Sequence, residues 1–389
     1  MAKFENSIYY KIWNSQEGRE ITMAILQDPN LIHANHTFWR EKFLVDPSIT
    51  PTNELGEAVF VQYMRKIETG GLMDLRAPLG DSVPAEQGNL QYYTGVIPDF
   101  ISKGYVEKAT ERYYRDMLFD QFDDKNLIKA YADNFLQRAV DSANQTLSNM
   151  AAQVMSKGNI VWNYGDGVIK QLLKAEIPSE NFLKAGSVVW SDHDDCNLLD
   201  QVRKIYNDVQ EHLGMEIPMQ LEITRTQWLN NWLTNDQVKD QIRYYKSLGN
   251  TLLPQVFEPT TDMAMEAIKQ FEGLPTIVIV DEKQYDTYAN TTVHGWDDNT
   301  AVLRPLGFAG YVRRTDVLDE KIYKAYGTKL TERNFTNALG GVLLIMNSVI
   351  NNGNLKEWHS DAMLSAIPAL DEFLYHFIID TTQTSSNTF

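Results

Sequence analysis

The run of residues with the most chemical potential is SDHDDC, from Ser191 to Cys196. His193 and Asp195 are residue types that bind metals, and the thiol of Cys196 could act as a nucleophile. The same residue types also begin helices, because Asp and Ser side chains cap the first turn and negative charge complements the helix dipole. We expect this second role, so the run predicts neither a metal site nor a catalytic cysteine.

The helix that follows this run is predicted from Cys196 to Gly214. Its apolar residues recur at spacings of three and four, which is the pattern of an amphipathic helix. Asp192 or Asp194 is expected to cap the helix, and Gly214 is expected to end it. Cys196 would then lie on the helix as a small apolar residue.

Four other histidines are candidates for site residues. His33 and His36 have a spacing that could hold a metal on a helix, but no further ligand lies near them in the sequence. His294 and His359 lie beside or close to a tryptophan and are expected to be packing residues. The sequence contains no phosphate-loop, zinc-protease, nucleophile-elbow or dinucleotide-binding motif. It therefore predicts no catalytic residue, no cofactor and no metal.

The composition argues against several classes of protein. The chain has 52 acidic and 35 basic residues, for a net charge of −17, whereas tight binding of nucleic acid needs clustered Lys and Arg. A single cysteine permits no disulfide within the chain and no cysteine-based zinc site. No window is long and apolar enough to span a membrane, and the first residues lack the apolar core of a signal peptide. A cytoplasmic origin is expected.

A long helix is predicted from about Lys125 to Lys157. This segment contains no proline, and Phe135, Leu147 and Val154 are expected on one buried stripe, because apolar residues recur there at spacings of three and four. Gly158 is expected to end the helix. A helix of roughly thirty residues is about 45 Å long, which is typical of a spine against which other elements pack.

Helices and strands alternate after this helix, from about Ile160 to Gly273. Met219–Thr224 is predicted to be a strand, and the segments TNDQVKDQIRYYKSLG and TTDMAMEAIKQFEG are predicted to be helices that end at glycine. Leu274–Tyr285 is predicted to contain a buried strand. His294–Arg314 is predicted to contain a turn and two further strands. The whole pattern indicates an α+β protein.

The segment from Arg76 to Phe100 fits none of these patterns. It has six Gly or Pro residues and no helical periodicity, yet it carries three aromatic side chains. A loop of about 25 residues without secondary structure is uncommon in a compact domain. Something must cover its apolar side chains, which are Leu79, Val83, Leu90, Tyr92, Tyr93, Val96 and Ile97.

The order of these segments resembles the major capsid protein of tailed bacteriophages, which has the Hong Kong 97-type fold. The segments that carry the resemblance are the aromatic loop, the long helix with its glycine exit, and the run WDDNTAVLRPLGFAGYV with its aspartate-rich turn and Arg-Pro-x-Gly step. The resemblance implies an N-terminal arm (1–75), an extended loop (76–100), a peripheral domain with the spine helix (101–159), an axial domain (160–273), a peripheral return with long strands (274–350) and a C-terminal segment in the axial domain (351–389).

The resemblance also implies a function. The chain would assemble into hexamers and pentamers of an icosahedral shell that encloses phage DNA without binding it specifically, and a neighbouring copy would cover the seven apolar side chains of the extended loop. Further partners would be a portal, a separate scaffold protein and decoration proteins, but no membrane. The location would be the virion capsid, assembled in the cytoplasm of the bacterial host.

Two other functions remain open at this point. The chain could be the shell of an encapsulin-type nanocompartment, which has the same fold but is generally shorter. It could also be a cytoplasmic enzyme with a scattered active site in the segment from Ile160 to Gly273. The shape of the expressed protein discriminates these classes, because shells, rings or tubes favour a shell protein and a compact monomer favours an enzyme.

Overall fold

The structure is a computed structural model. It describes residues 37–53, 57–65, 90–107, 137–163, 169–249, 257–286, 291–315, 333–338, 343–351 and 355–385, together with the single positions 16, 20 and 254. Several residues named above lie outside this described part, namely His33, His36, Leu79, Val83, Phe135 and the side chain of His359.

Five α-helices of five or more residues lie in the described part. They are α1 (Phe38–Lys42), α2 (Gln137–Lys157), α3 (Leu198–Leu213), α4 (Asp236–Leu248) and α5 (Thr261–Ile268). The side chain of Asn235 caps α4 by accepting from the backbone N–H of Val238, and Thr260 caps α5 in the same way. These caps satisfy donors that would otherwise have no partner within the helix. Both helices were predicted from the sequence.

The strands of the described part are β1 (Phe43–Val45), β2 (Ala58–Arg65), β3 (Leu90–Ile97), β4 (Asp99–Glu107), β5 (Asn159–Asn163), β6 (Ile169–Lys174), β7 (Phe182–Lys184), β8 (Met219–Thr224), β9 (Thr276–Val280), β10 (Gln284–Asp286), β11 (Thr291–Val293), β12 (Thr300–Pro305), β13 (Gly310–Arg314), β14 (Arg333–Ala338), β15 (Leu343–Asn351), β16 (Leu355–Leu370) and β17 (Phe377–Asp380). Helices and strands are thus both abundant, which confirms the α+β class.

The largest sheet is built around β16, which is 16 residues long. One edge of β16 pairs with β15, which in turn pairs with β14. Along the other edge, β4 and β13 pair with successive lengths of β16, and the short strand β1 pairs with β13 in parallel. Helix α2 packs against β16. This sheet and helix form the first hydrophobic core of the protein.

A second sheet has the strand order β7-β17-β12-β8-β9. Every residue of β8 is buried, because β8 lies inside the sheet, between β12 and β9. Residues of α3, α4 and α5 share a second hydrophobic core with the strands of this sheet. The chain therefore contains two cores, each built around one sheet.

Helix α2 matches the C-terminal part of the predicted spine. It is continuous from Gln137 to Lys157, and both Leu147 and Val154 are fully buried on it. The helix ends where it was predicted to end, because Gly158 has a φ of 69°. That left-handed conformation suits glycine, which has no Cβ to clash.

The start of α3 differs from the prediction. The helix begins at Leu198 rather than at Cys196, and its N-cap is Asn197, which makes no capping bond through its side chain. Neither predicted aspartate caps it. The donor at Leu199 is instead satisfied by Oε1 of Gln237, at 2.7 Å, from the first turn of α4. A cap that comes from 38 residues away leaves no local signal in the sequence.

Two strands link segments that were expected to belong to different domains. Strands β9 and β12 belong to the segment 274–350, which was expected to return to the peripheral domain. Both strands instead pair with β8 of the expected axial segment, β9 in parallel and β12 in antiparallel register. The C-terminal segment is likewise divided, because β16 lies in the large sheet and β17 in the second one.

Candidate assembly surface

Strands β2 and β3 form a two-stranded antiparallel ribbon that pairs with no other strand of the described part. Ala58 lies opposite Ile97, and the register continues without a shift to Arg65 opposite Leu90. Both strands contain Val and Tyr, which favour extended backbone. Because side chains alternate between the two faces of a strand, the register assigns each residue of the ribbon to one face.

The inner face of the ribbon belongs to the first core. Phe60, Tyr93 and Ile97 are buried there, and the ring of Tyr93 meets Phe373 edge-on at a centroid distance of 5.2 Å. Gly95 is required on this face. A Cβ at that position would lie 2.5 Å from the ring of Phe60, which is closer than real contacts allow. The inner face therefore needs no partner from another molecule.

The outer face of the ribbon is apolar and exposed. Its residues include Val59, Val61, Tyr63, Leu90, Tyr92, Thr94 and Val96, none of which is charged, and the register puts Arg65 opposite Leu90 at the end of this face. Tyr63 is 58% exposed and Tyr92 is 60% exposed, and their rings face each other across the two strands at 5.9 Å. Large contiguous apolar faces are rare on monomeric proteins, which makes this face a candidate interaction site.

A groove lies beside the ribbon, between β3 and β6. Its volume is about 800 Å³, and its walls are residues 90–96 on one side and Gln171–Lys174 on the other. Strand β3 hydrogen-bonds to β2 along one edge only, within the described residues. The groove therefore exposes backbone groups of a strand edge next to the apolar outer face.

Five of the seven residues predicted for the subunit interface are described, and they lie on both faces of the ribbon. Leu90, Tyr92 and Val96 lie on the exposed outer face, and their contact with a neighbouring copy stays a prediction. Tyr93 and Ile97 are buried within their own chain, so they need no neighbouring copy to cover them.

The expectation that this stretch lacks secondary structure is wrong for its last eleven residues. Leu90–Ile97 is β3, and Asp99 begins β4. From the sequence alone, the segment that forms the partner strand β2 could be either a strand or a helix. Its sequence AVFVQY is apolar at successive positions, so periodicity did not distinguish helix from strand. The signal that could have identified it is the pair of β-branched and aromatic runs, one on each side of the long Gly- and Pro-containing segment.

The SDHDDC run has a structural role. Cys196 is buried, and burial together with the nearby charge of Asp192 raises the pKa of its thiol to about 11. The thiolate needed for nucleophilic attack is therefore scarce at neutral pH. The backbone carbonyl of His193 accepts from the N–H of Asp236, which joins the run to the start of α4. The described residues include no group of three side chains that could hold a metal.

A buried carboxylate was not anticipated from the sequence. Glu282 is 3% exposed, and its side chain accepts from the backbone N–H groups of Gly295 and Trp296. Burial raises the pKa of this carboxyl to about 7, although the two hydrogen bonds oppose the shift. His294 is exposed, and its Nδ1 lies 2.7 Å from the carbonyl oxygen of Glu282. It is therefore not the packing residue that was expected.

No helix of the described part is long and apolar enough to cross a membrane. For the residues outside the described part, the absence of a membrane span stays a prediction from the sequence.

Several solved structures match most of the chain's length at TM-scores below 0.5. A phage-related protein from Bordetella bronchiseptica is 13% identical, with 92% of this chain and 97% of that chain covered and a TM-score of 0.47. The capsid of cyanophage A-1(L) is 10% identical, with 92% and 94% covered and a TM-score of 0.46. The capsid of the Myoviridae phage XM1 is 12% identical, with 90% and 96% covered and a TM-score of 0.41. No protein-family model matches the sequence, and neither does any curated protein.

Proposed function

We propose that this chain is the major capsid protein of a tailed bacteriophage, and that it assembles into hexamers and pentamers of an icosahedral shell. The observation that carries the proposal is the β2–β3 ribbon, whose inner face is buried in its own chain while its outer face is apolar and exposed. Burial of apolar surface is the main driving force for association. In a shell, a second copy of the chain would supply the missing cover.

The order of the elements supports the same proposal. Along the chain, the ribbon is followed by the spine helix α2, then by the unit around β8, and then by the long strand β16. The first three follow the order of extended loop, spine helix and axial domain in the family that the sequence resembles. The solved structures described as capsids name the same class, but the proposal rests on the architecture of this chain.

The charge of the chain fits a container for DNA better than a DNA-binding protein. With 52 acidic and 35 basic residues, a shell of this protein would tend to repel phosphate. Packaged DNA would then lie near the wall without being bound to specific residues. Portal, scaffold and decoration proteins remain proposed partners, and the virion capsid, assembled in the host cytoplasm, remains the proposed location.

Electron microscopy of the expressed chain, combined with sedimentation velocity, tests the proposal. Closed shells or hexameric rings are expected, with a fraction that grows with protein concentration. A protein that remains monomeric at all concentrations, and that copurifies with a small metabolite, would contradict the proposal and favour the enzyme alternative. Closed shells that contain protein cargo would favour the encapsulin-type alternative.

A further inference from the structure

One cross-strand pair of the ribbon differs from its neighbours on the inner face. Gln62 lies opposite Tyr93, and both side chains are buried. The hydroxyl of Tyr93 donates to the backbone carbonyl of Leu370, at 2.7 Å, and Oε1 of Gln62 accepts from the guanidinium of Arg313. The pair therefore makes polar contacts, through both strands of the ribbon, to the large sheet.

Arg313 connects this pair to the N-terminal segment. Its guanidinium also pairs with the carboxylate of Asp46, and it lies 3.4 Å from Oδ1 of Asp371. Burial raises the pKa of Asp46, but hydrogen bonds from Ser48 and Arg313 outweigh this effect and hold the pKa below its usual value. Asp46 is thus ionised at neutral pH. Three parts of the chain consequently meet at one arginine: the segment after β1, the ribbon and the large sheet.

Among the residues that the structure describes, the neighbouring pairs of the inner face make no such polar contacts. Phe60 and Ile97 contribute apolar packing on the side of the pair toward Ala58. On the other side, Met64 is half-buried and Gln91 is exposed. Apolar packing is non-directional, whereas hydrogen bonds depend on angle as well as distance. The polar pair is therefore the part of the inner face that can fix an angle.

We propose that the Gln62–Tyr93 pair positions the ribbon, by fixing its angle to the large sheet so that the outer face is presented to a second copy of the chain. The inference rests on the proposed function for its last step only. Holding an interaction surface in its bound orientation before contact reduces the ordering that association requires. Loosening the pair should therefore weaken assembly without altering any residue of the outer face.

The experiment measures the orientation of the ribbon in the unassembled chain. Spin labels are attached through Thr94→Cys on the ribbon and Ser187→Cys beside the second sheet, both at exposed positions, while the native Cys196 is buried. The test variant is Gln62→Ala/Tyr93→Phe, which removes both polar contacts and keeps the aromatic ring. Tyr93→Phe alone is the milder variant, in case the double variant does not fold. Gln91→Ala, an exposed position on the same strand, is the matched control.

A single narrow distance distribution is expected for the unsubstituted chain and the control, and a broader one for the test variants. Shell formation is measured on the same variants without the label cysteines, because Thr94 lies on the outer face, and it should be slower by about tenfold. An unchanged width would overturn the positioning role. A broadened distribution with an unchanged rate of shell formation would overturn the link to assembly. If the unsubstituted chain forms no shells, the proposed function fails, and the distances alone still decide whether the pair positions the ribbon.

Discussion

Strand β8 and the β2–β3 ribbon differ in the type of side chain that each of them buries or exposes. Gln220, Glu222 and Thr224 are polar residues of β8, yet all three are buried. Tyr63 and Tyr92 are large residues of the ribbon, with mainly apolar rings, and more than half of each side chain is exposed. One strand hides its polar groups, and the other exposes its apolar groups.

The difference shows which region has its interaction partners within the same chain. Oε1 of Glu222 accepts from Lys42 at 2.7 Å and from Arg304 at 2.9 Å, so the partners of this buried charge come from the same chain. The outer face of the ribbon has no such cover among the described residues. A buried polar group whose partners lie in the same chain belongs to a core that needs no other molecule. An exposed apolar face is instead a surface that a partner outside the chain could cover.

The largest expected effect is on the buried ion pairs of Glu222 in β8. Glu222→Ala would leave Lys42 and Arg304 buried without their carboxylate, and breaking a buried ion pair in this way typically costs about 3–5 kcal/mol. The free energy of unfolding, measured with urea on the unassembled chain, should fall by that amount. Asp240→Asn is the control, because its ion pair with Arg243 is exposed and should contribute less than about 1 kcal/mol. Equal losses in both variants would contradict the comparison.

A core substitution in the spine helix should have the next largest effect. Leu147 is fully buried on α2, and Leu→Ala substitutions at buried sites cost about 2–5 kcal/mol because they leave a cavity. Urea denaturation of Leu147→Ala should show this loss with little change in the slope of the transition. A loss below about 1 kcal/mol would mean that the helix does not pack against β16 as described.

The pH dependence of stability should report on Glu282. Its pKa lies at about 7 in the folded chain, against an ordinary value of 4.5. The folded state therefore binds more protons than the unfolded state between these values, and stability should decrease as the pH rises through that window, by at most about 1.4 kcal/mol per pH unit. Asp298 adds to the shift, and Lys157 opposes it.

Glu282→Gln should remove this slope, because the amide is neutral and still offers an oxygen to the N–H of Gly295. Thermal unfolding at several pH values between 4.5 and 7 measures it. Glu176→Gln, at an exposed position, serves as the control. If the unsubstituted chain gains stability as the pH rises across the window, and Glu282→Gln does the same, then Glu282 is ionised and well solvated in the folded state.

The smallest effect on folding is expected on the outer face. The polar-face variant Val61→Thr/Tyr63→Thr/Tyr92→Thr/Val96→Thr keeps residues that favour strands. Its unassembled chain should lose about 0.5 kcal/mol per substitution, as exposed positions usually do. Circular dichroism and urea denaturation at low protein concentration provide the measurement. A total loss above about 4 kcal/mol would show that the outer face is packed within its own chain.

Local signals in the sequence were sufficient for several elements. Gly158 ends α2, Asn235 begins α4, and Met219–Thr224 forms a strand, because each depends on residue types within a few positions. Long-range contacts were not predictable in this way. The cap that Gln237 provides for α3 and the pairing of β9 with β8 depend on residues that are distant in the sequence.

The candidate site was predictable in part for the same reason. The apolar character of Leu90, Tyr92 and Val96 indicated that they need cover, but the sequence did not show that Tyr93 points to the opposite face. That distinction depends on the pairing of β3 with β2, which sets the alternation of faces. A linker that replaces residues 80–95 would consequently remove Tyr93 from the core as well as the outer face, and it is a poorer test than substitutions on the outer face alone.

The proposed function requires that the outer face of the ribbon drives assembly. The most direct measurement compares the polar-face variant, Gln91→Ala and the unsubstituted chain by sedimentation velocity over a range of concentrations, with electron microscopy of the largest species. The unsubstituted chain and Gln91→Ala should form closed shells, whereas the polar-face variant should remain folded and unassembled. Normal shells from the folded polar-face variant would show that the outer face does not drive assembly.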